Sequence, residues 1–347
     1  MADFRATLSL IDRPHLPAQG TANIDRYKEW FHFNLLGLPG ELDVIVNISL
    51  SGDVVRDDAG EVDVIVLCHR NCDGWAGGIE YYRGTAAQMD QRRLALTVSN
   101  AVALRCEEGT YHLTVQPRND CPGMSVELYP QAEPMLLWND TPIGSGSLNW
   151  LIAPHLEARG EIYYPTETVT FDGACAYHDH NWGYWRWGDD LGWEWGFASD
   201  MGRALGSGRL TAVFDRTTDR IGGASFEHTL AIWRDNSLLK LFTRLMLRTH
   251  RKGQFGGAIS RRPGAAWLVA PGEVRSVPRS FMISARDDSD WLDVQYEVTA
   301  ALQIAVPCET GFHVVGLNET FGKVQIRGSL SGQAVNFMAR CCFEFLG

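Results

Sequence analysis

Hydrophobic residues in this chain recur with a period of two, not 3.6, and this restricts the fold more than any other property of the sequence. Val44–Leu50, Val62–Leu67, Leu94–Val98, Tyr111–Val115, Trp291–Val298 and Lys323–Arg327 all read as strands. The last run is the clearest: Val335, Phe337, Ala339, Cys341, Phe343 and Phe345 alternate with Asn336, Met338, Arg340, Cys342 and Glu344. Successive strand residues leave on opposite faces, so this segment has one apolar face and one mixed face. Turn chemistry separates the runs at Asp58-Ala-Gly60, Asp73-Gly74, Glu108-Gly109, Pro122-Gly123, Asp172-Gly173 and Ser331-Gly332. Many short strands joined by Gly-rich turns predict an all-β sandwich or barrel.

Two segments depart from the pattern. Asn236–Gly253 fits a helix with Leu238, Leu241, Phe242, Leu245 and Met246 on one side and cations on the other, and it also fits alternation. As a helix it would present a basic amphipathic face to an anionic membrane, a peripheral contact. Pro130–Gly146 is rich in Pro and Gly, lacks a period and reads as a linker. A chain of 347 residues suits two domains or one large β domain, and this segment divides it into residues 1–145 and 146–347.

Charge and motif content exclude several functions. Lys and Arg total 31 against 42 Asp and Glu, a net charge of −11, which does not supply the basic stripe that nucleic acid requires. No apolar run approaches the ~20 residues needed to span a bilayer. The start of the chain carries no secretory pattern, so a cytoplasmic location is expected. The eight cysteines are scattered, as in a reduced pool of thiols. Phosphate-loop, dinucleotide-loop and His-Glu-X-X-His patterns are absent.

Tryptophan is the unusual residue. There are 12, and five of them lie between Trp182 and Trp195. Residues 171–200 (FDGACAYHDHNWGYWRWGDDLGWEWGFASD) combine His178, Asp179, His180, Asn181 and Glu194 with Tyr177, Trp182, Tyr184, Trp185, Trp193 and Trp195. If Tyr177–Trp182 is extended, His178, His180 and Trp182 share one side and Tyr177, Asp179 and Asn181 the other. Trp193 and Trp195 likewise lie opposite Glu194. Histidine beside a carboxylate suits general acid–base work, and indole faces exclude water and favour developing positive charge. His178 and His180 also have the spacing of half a zinc site, a weak signal. A second constellation is Glu29-Trp30-Phe31-His32-Phe33-Asn34. Extended, it places Glu29 with the phenylalanines and Trp30, His32 and Asn34 on the other face.

These stretches carry a family resemblance. Glu29-Trp-Phe-His-Phe33 resembles the opening motif of the carotenoid hydratase (hydroxyneurosporene synthase)/AttH-like superfamily. Tyr177-His-Asp-His-Asn-Trp-Gly183 resembles its central signature, and Cys341-Cys-Phe-Glu-Phe-Leu346 its closing strand. The segment from Trp150 to Pro154, followed by Arg159-Gly160, sits where the family begins its second half. The resemblance implies two lipocalin-like antiparallel β-barrels with an apolar ligand cavity and no redox cofactor. The group also includes kievitone-type hydratases and fungal decalin-forming Diels–Alderases, so the implied chemistry is addition, isomerisation or cyclisation at carbon–carbon double bonds. The His-Asp-His form departs from the carotenoid hydratases themselves, which argues against a carotenoid substrate.

The first reading is therefore an acid–base hydratase or cyclase acting on an isoprenoid or polyene. His178 or His180, supported by Asp179, would serve as the acid, with Glu194 or Glu29 as alternatives. Trp30, His32, Tyr177, Asn181, Trp182, Tyr184, Trp185, Trp193 and Trp195 would bind the substrate, and no metal or other cofactor is expected. The other readings are a pericyclase that folds a polyene and a non-catalytic carrier of apolar ligands.

Overall fold

The structure, a computed structural model, describes residues 4–18, 20–56, 60–118, 120–200, 208–220, 222–262, 276–310 and 314–347. It forms two compact units, Met1–Trp185 and Arg186–Gly347. Each is built on one large antiparallel sheet, as the alternation predicts.

The first unit opens with helix α1 (Phe4–Ile11) and continues through β1 (Tyr27–Leu38), β2 (Leu42–Gly52), β3 (Gly60–Arg70), β4 (Gly74–Arg83), β5 (Ala87–Met89) and β6 (Ala95–Val98). There follow β7 (Val102–Glu107), β8 (Thr110–Val115), β9 (Gly123–Pro130), β10 (Met135–Ile143), β11 (Gly146–Tyr163) and β12 (Thr168–Tyr184). Their order in the sheet is β4-β3-β2-β1-β12-β11-β9-β8-β7-β6-β5, with β10 added on β11. Edge strand β4 is tied back to the β8–β9 connection: Gly77 N–H donates to Asp120 O at 3.1 Å, and Arg118 Nε donates to Glu80 at 2.6 Å. The sheet thus curls around one core, which collects Phe31, Phe33 and Leu35 from β1, Val44, Val46 and Ile48 from β2, and Leu8 from α1. Each such side chain removed from water contributes roughly 1.5–3 kcal/mol.

The second unit contains β13 (Gly192–Ser199), β14 (Leu210–Thr218), β15 (Ser225–Arg234), β16 (Ser237–Thr243) and β17 (Leu247–Gln254). It ends with β18 (Ile259–Arg262), β19 (Pro278–Asp287), β20 (Asp290–Pro307), β21 (Val314–Leu330) and β22 (Gln333–Leu346). The order is β16-β15-β14-β13-β22-β21-β20-β19-β17, and β18 pairs in parallel with β20. Lys240 on β16 reaches Asp287 at 2.7 Å and Asp290 at 2.8 Å at the β19–β20 turn, which draws the two ends of the sheet together. Both units are lipocalin-like antiparallel barrels.

All seven strand runs read from the alternation fall on strands, with Leu94 one residue ahead of β6. Glu108-Gly109 and Ser331-Gly332 have left-handed backbone at both positions, which matches the right-handed twist of the flanking strands, as two-residue hairpin loops require. The turn at Asp58-Ala-Gly60 begins outside the described residues. Asn236–Gly253 is not a helix: it is β16, a short 3₁₀ turn at Arg244–Met246 and β17, so the amphipathic-helix argument for membrane contact loses its basis. No helix among the described residues is long and apolar enough to cross a membrane. Pro130–Gly146 is not a free linker, because β10 within it pairs with β11 through two register shifts. The division of the chain falls after Trp185, not at 145/146, because β11 and β12 hydrogen-bond to β9 and β1.

Candidate active site

Strand β12 is the fifth strand of the first barrel from the β4 edge, flanked by β1 and β11. Its register against β1 sets Phe33 opposite His178 and Phe31 opposite His180. Each phenyl ring stacks on its imidazole at 4.1 Å. Both histidines therefore point into the barrel core, and both are fully buried. The glycine that closes the motif has a steric reason: a Cβ on Gly183 would lie 2.2 Å from the Ser147 carbonyl oxygen of β11.

Asp12, placed just after α1, meets both histidines. Its Oδ2 lies 2.9 Å from His178 Nε2 and its Oδ1 2.8 Å from His180 Nδ1, and the Tyr111 hydroxyl donates to it as well. On the far side of the same ring, His180 Nε2 lies 2.7 Å from Glu29 Oε1. Glu29 also accepts the backbone N–H of His15 at 2.8 Å and the Tyr27 hydroxyl. Burial acts to raise the Asp12 pKa, but the charges and hydrogen bonds of His178 and His180 outweigh it and hold the group well below the usual carboxylate range. Burial likewise opposes the charge on His180, but its hydrogen bonds to Asp12 and Glu29 prevail and push it up to about 9. Both nitrogens of His180 face carboxylates, so the ring is an imidazolium at neutral pH. His178 lies between two acceptors, its Nδ1 2.9 Å from the His32 carbonyl oxygen and its Nε2 2.9 Å from Asp12. Burial and then Glu29 or Asp12 push Tyr27 and Tyr111 well above the usual phenol range, so both remain donors.

His15 stands at the less buried end of this relay. Its ring stacks on Trp182 at 3.9 Å, nearly parallel, and lies 5.5 Å from His180. Its Nε2 hydrogen-bonds the Ile11 carbonyl at 2.9 Å, so that nitrogen carries the proton and Nδ1 keeps a lone pair. Burial, then the charge on His180, lowers its pKa. His15, Trp182 and Tyr184 are only partly buried, in contrast to the sealed histidines behind them.

The opposite face of β12 carries a second polar group. Tyr177 donates to Asp179 Oδ2 at 2.8 Å, and Asn181 Nδ2 donates to Asp179 Oδ1 at 3.0 Å. Burial raises the Asp179 pKa, against the lowering effect of His32 and Tyr177. His32 Nε2 lies 3.0 Å from Asn34 Oδ1 on the same face, and Trp30 meets Trp185 edge-on at 5.2 Å.

The predicted residues thus fall into three places. Glu29, His178, His180, Trp182 and Tyr184 face the first barrel's interior. Trp30, His32, Tyr177, Asp179, Asn181 and Trp185 belong to its outward side. Asp179 therefore does not support the histidines as expected: it lies across the strand, and Asp12 and Glu29 serve them instead. Glu194 belongs to the second unit, bonded to Arg216 at 3.2 Å and Arg251 at 2.7 Å. Trp193 and Trp195 lie on the other face of β13, where the Trp193 indole N–H donates to Glu344. The first barrel also holds a cavity of ≈ 160 Å³ beside Val64, Val66, Ile79, Glu80, Arg118 and Cys121, away from every predicted residue. The zinc reading of His178 and His180 finds no third ligand among the described residues, since no group of three or more His, Cys, Asp or Glu is arranged around a metal position. Asp12, His15, Tyr27 and Tyr111 were not singled out by the sequence. The only trace was Asp12-Arg-Pro-His15, a polar break after an apolar stretch.

No family model and no curated protein sequence matches the chain. Its fold, however, matches solved structures over nearly the whole length. A Nitrosomonas europaea protein assigned as AttH aligns with TM-score 0.65 at 15% identity, covering 94% of each chain. CghA, crystallised with Sch210972, aligns with TM-score 0.62 at 11% identity over 96% of this chain and 94% of its own. Kievitone hydratase from Nectria haematococca aligns with TM-score 0.60 at 10% identity over 98% of this chain and 94% of its own. The chain therefore shares the fold of the AttH and kievitone hydratase structures.

Proposed function

We propose that the protein is an acid–base enzyme of the hydratase or cyclase type, acting on a carbon–carbon double bond of a hydrophobic substrate, with the Glu29–His180–Asp12 relay as its proton reserve. The observation that carries this reading is an imidazolium held between two carboxylates inside an apolar barrel. Such a group is costly to bury, and perturbed titratable clusters of this kind concentrate at functional sites. Glu29 is the member of the relay next to His15 and Trp182, the partly buried end. A proton passes from His180 through Glu29 to an alkene carbon, and the positive charge develops beside the Trp182 indole, whose face favours cations. Water then adds to the cation and returns its proton to the relay, giving hydration. Alternatively an internal alkene or hydroxyl closes a ring, and the proton lost from the product resets the relay. The fold shared with a hydratase supports the same reading.

The test is turnover in D2O. Purified protein is incubated with prenylated phenols and linear polyenes, and products are read by mass spectrometry. The expected product carries deuterium on the protonated carbon, with a mass gain of water for hydration. A product formed without deuterium would instead indicate a pericyclic reaction. Saturable binding without any product would indicate a carrier.

A further inference from the structure

The second unit has a polar row on its inner wall that the proposed reaction does not use. Strand register sets Glu194 of β13 beside Arg216 of β14, and Arg216 beside His228 of β15. On the other side Glu194 adjoins Phe345 of β22, and the row continues to Asn318 of β21 and Gln303 of β20. That half is internally satisfied: Gln303 Nε2 donates to Asn318 Oδ1 at 2.8 Å, and Asn318 Nδ2 donates to the Phe345 carbonyl at 2.9 Å.

The arginine half is not. Glu194 accepts from Arg216 Nη1 and from Arg251 Nε of β17, so one carboxylate faces two guanidiniums. Arg251 lies over the Phe345 ring at 5.1 Å, and its Nη2 is buried with no hydrogen-bond partner. His228 Nε2 is also buried without a partner, on a side chain only 7% exposed. Burial, then the Arg216 charge, lowers the His228 pKa to about 4, so the ring is neutral and adds no counter-charge. Next to the row Phe214, Phe281, Phe343 and Phe345 pack against one another in the core, whereas the side chains of Arg216 and Arg251 stay 19% and 24% exposed. Asp215, the nearest further acid on β14, alternates to the opposite face.

Buried donors without acceptors are rare in folded proteins, and the single charge of Glu194 cannot balance two guanidiniums. We propose that this row is a binding site for a carboxylate on an aromatic or apolar body. The carboxylate takes the open N–H of Arg251 and balances the second guanidinium, His228 Nε2 offers the next polar contact along the row, and the body lies against the partly exposed stems of Arg216 and Arg251. The site stands apart from the Glu29–His180 relay, so either can fail without the other.

The full-length protein is titrated calorimetrically with phenylbutyrate and with its neutral amide. The acid is expected to bind about tenfold more tightly, the difference that one charge-assisted hydrogen bond supplies. Arg251→Gln should abolish that preference and Arg251→Lys should retain part of it, with melting curves establishing that each variant is folded. If Arg251→Gln does not fold, His228→Leu serves instead, with a smaller expected loss for the acid than for removal of the charge. Equal affinity for acid and amide, an unchanged preference in a folded variant, or no binding of the acid at millimolar concentration would each overturn the proposal.

Discussion

Asp12 accepts hydrogen bonds from three side chains that the sequence keeps far apart, and its partner His178 is 166 residues away. No local pattern encodes such a meeting. The parity of Tyr177–Asn181 could be read because strand geometry is strictly periodic, whereas the carboxylate serving the histidines arrives from a helix terminus whose docking only tertiary packing decides. Asp179, the adjacent acid in the sequence, was the natural candidate and faces the wrong side for the same geometric reason. Removing Asp12 takes away one of the two carboxylates that face the buried His180 and the acceptor that faces His178 Nε2, so Asp12→Asn should cost about 3–5 kcal/mol in urea unfolding; a loss below 1 kcal/mol would mean the cluster is not charged. His180 titrates at about 9 in the folded chain against an ordinary 6.5, so the folded state keeps a proton that the unfolded state releases. Its stabilisation is complete below about 6.5 and is lost as pH rises through about 9. Asp12, depressed below its ordinary 3.8, acts in the other direction, and its stabilisation is lost only in acid. Asp63 and Glu319, raised by burial to about 7 and about 8, add to the decline at rising pH, so the comparison must be between proteins. The melting temperature of His180→Gln should fall less steeply than wild type between these two pH values. Parallel slopes would remove His180 as the proton holder.

At the scale of elements, alternation identified strands wherever one face was core, and it failed where the pattern was broken by bulges. Met135–Ile143 pairs with β11 through two register shifts, so its buried residues, Trp138 and Ile143 among them, do not keep one parity and the segment reads as loop. Asn236–Gly253 was ambiguous because leucines at both spacings coexist, and the half-exposed β16 and β17 impose no clean apolar face. The two glycines at Gly173 and Gly183 show how one residue type serves two ends. Gly173 has φ +77° with nothing within 4 Å of an added Cβ, so alanine there meets only backbone strain, about 1–2 kcal/mol. At Gly183 the added atom would meet the Ser147 carbonyl at 2.2 Å, and relief requires β11 and β12 to separate beneath Trp182. Gly183→Ala should therefore be the more damaging of the pair, by about 1–3 kcal/mol or more. It should also shift Trp182 fluorescence, which Gly173→Ala should leave unchanged. The reverse ranking in thermal melts would show that the β11–β12 approach is not tight.

For the whole molecule, fold class and the presence of two barrels could be read from the sequence, but the partition of strands between them could not. A Pro- and Gly-rich stretch looks the same whether it links domains or bends within one, and only pairing distinguishes the two cases. Here β11 and β12 follow that stretch yet complete the first sheet, with β12 supplying His178 and His180 between β1 and β11. This makes an outcome measurable in fragments. Cutting after residue 145 severs β1 from β12 and β9 from β11, and it leaves Asp12 and Glu29 on a piece without their histidines. Cutting after Trp185 severs no strand pair among the described residues and keeps the entire relay in one piece. Residues 1–185 should therefore show β-sheet circular dichroism, a cooperative melt and strongly downfield imidazole N–H resonances from the histidines bonded to Asp12 and Glu29. Residues 1–145 should show none of these, because the carboxylates alone would repel within an unfinished barrel. A cooperative melt from the shorter fragment would place the division where the linker-like composition first suggested it, and would require the histidines to be held by the other half of the chain.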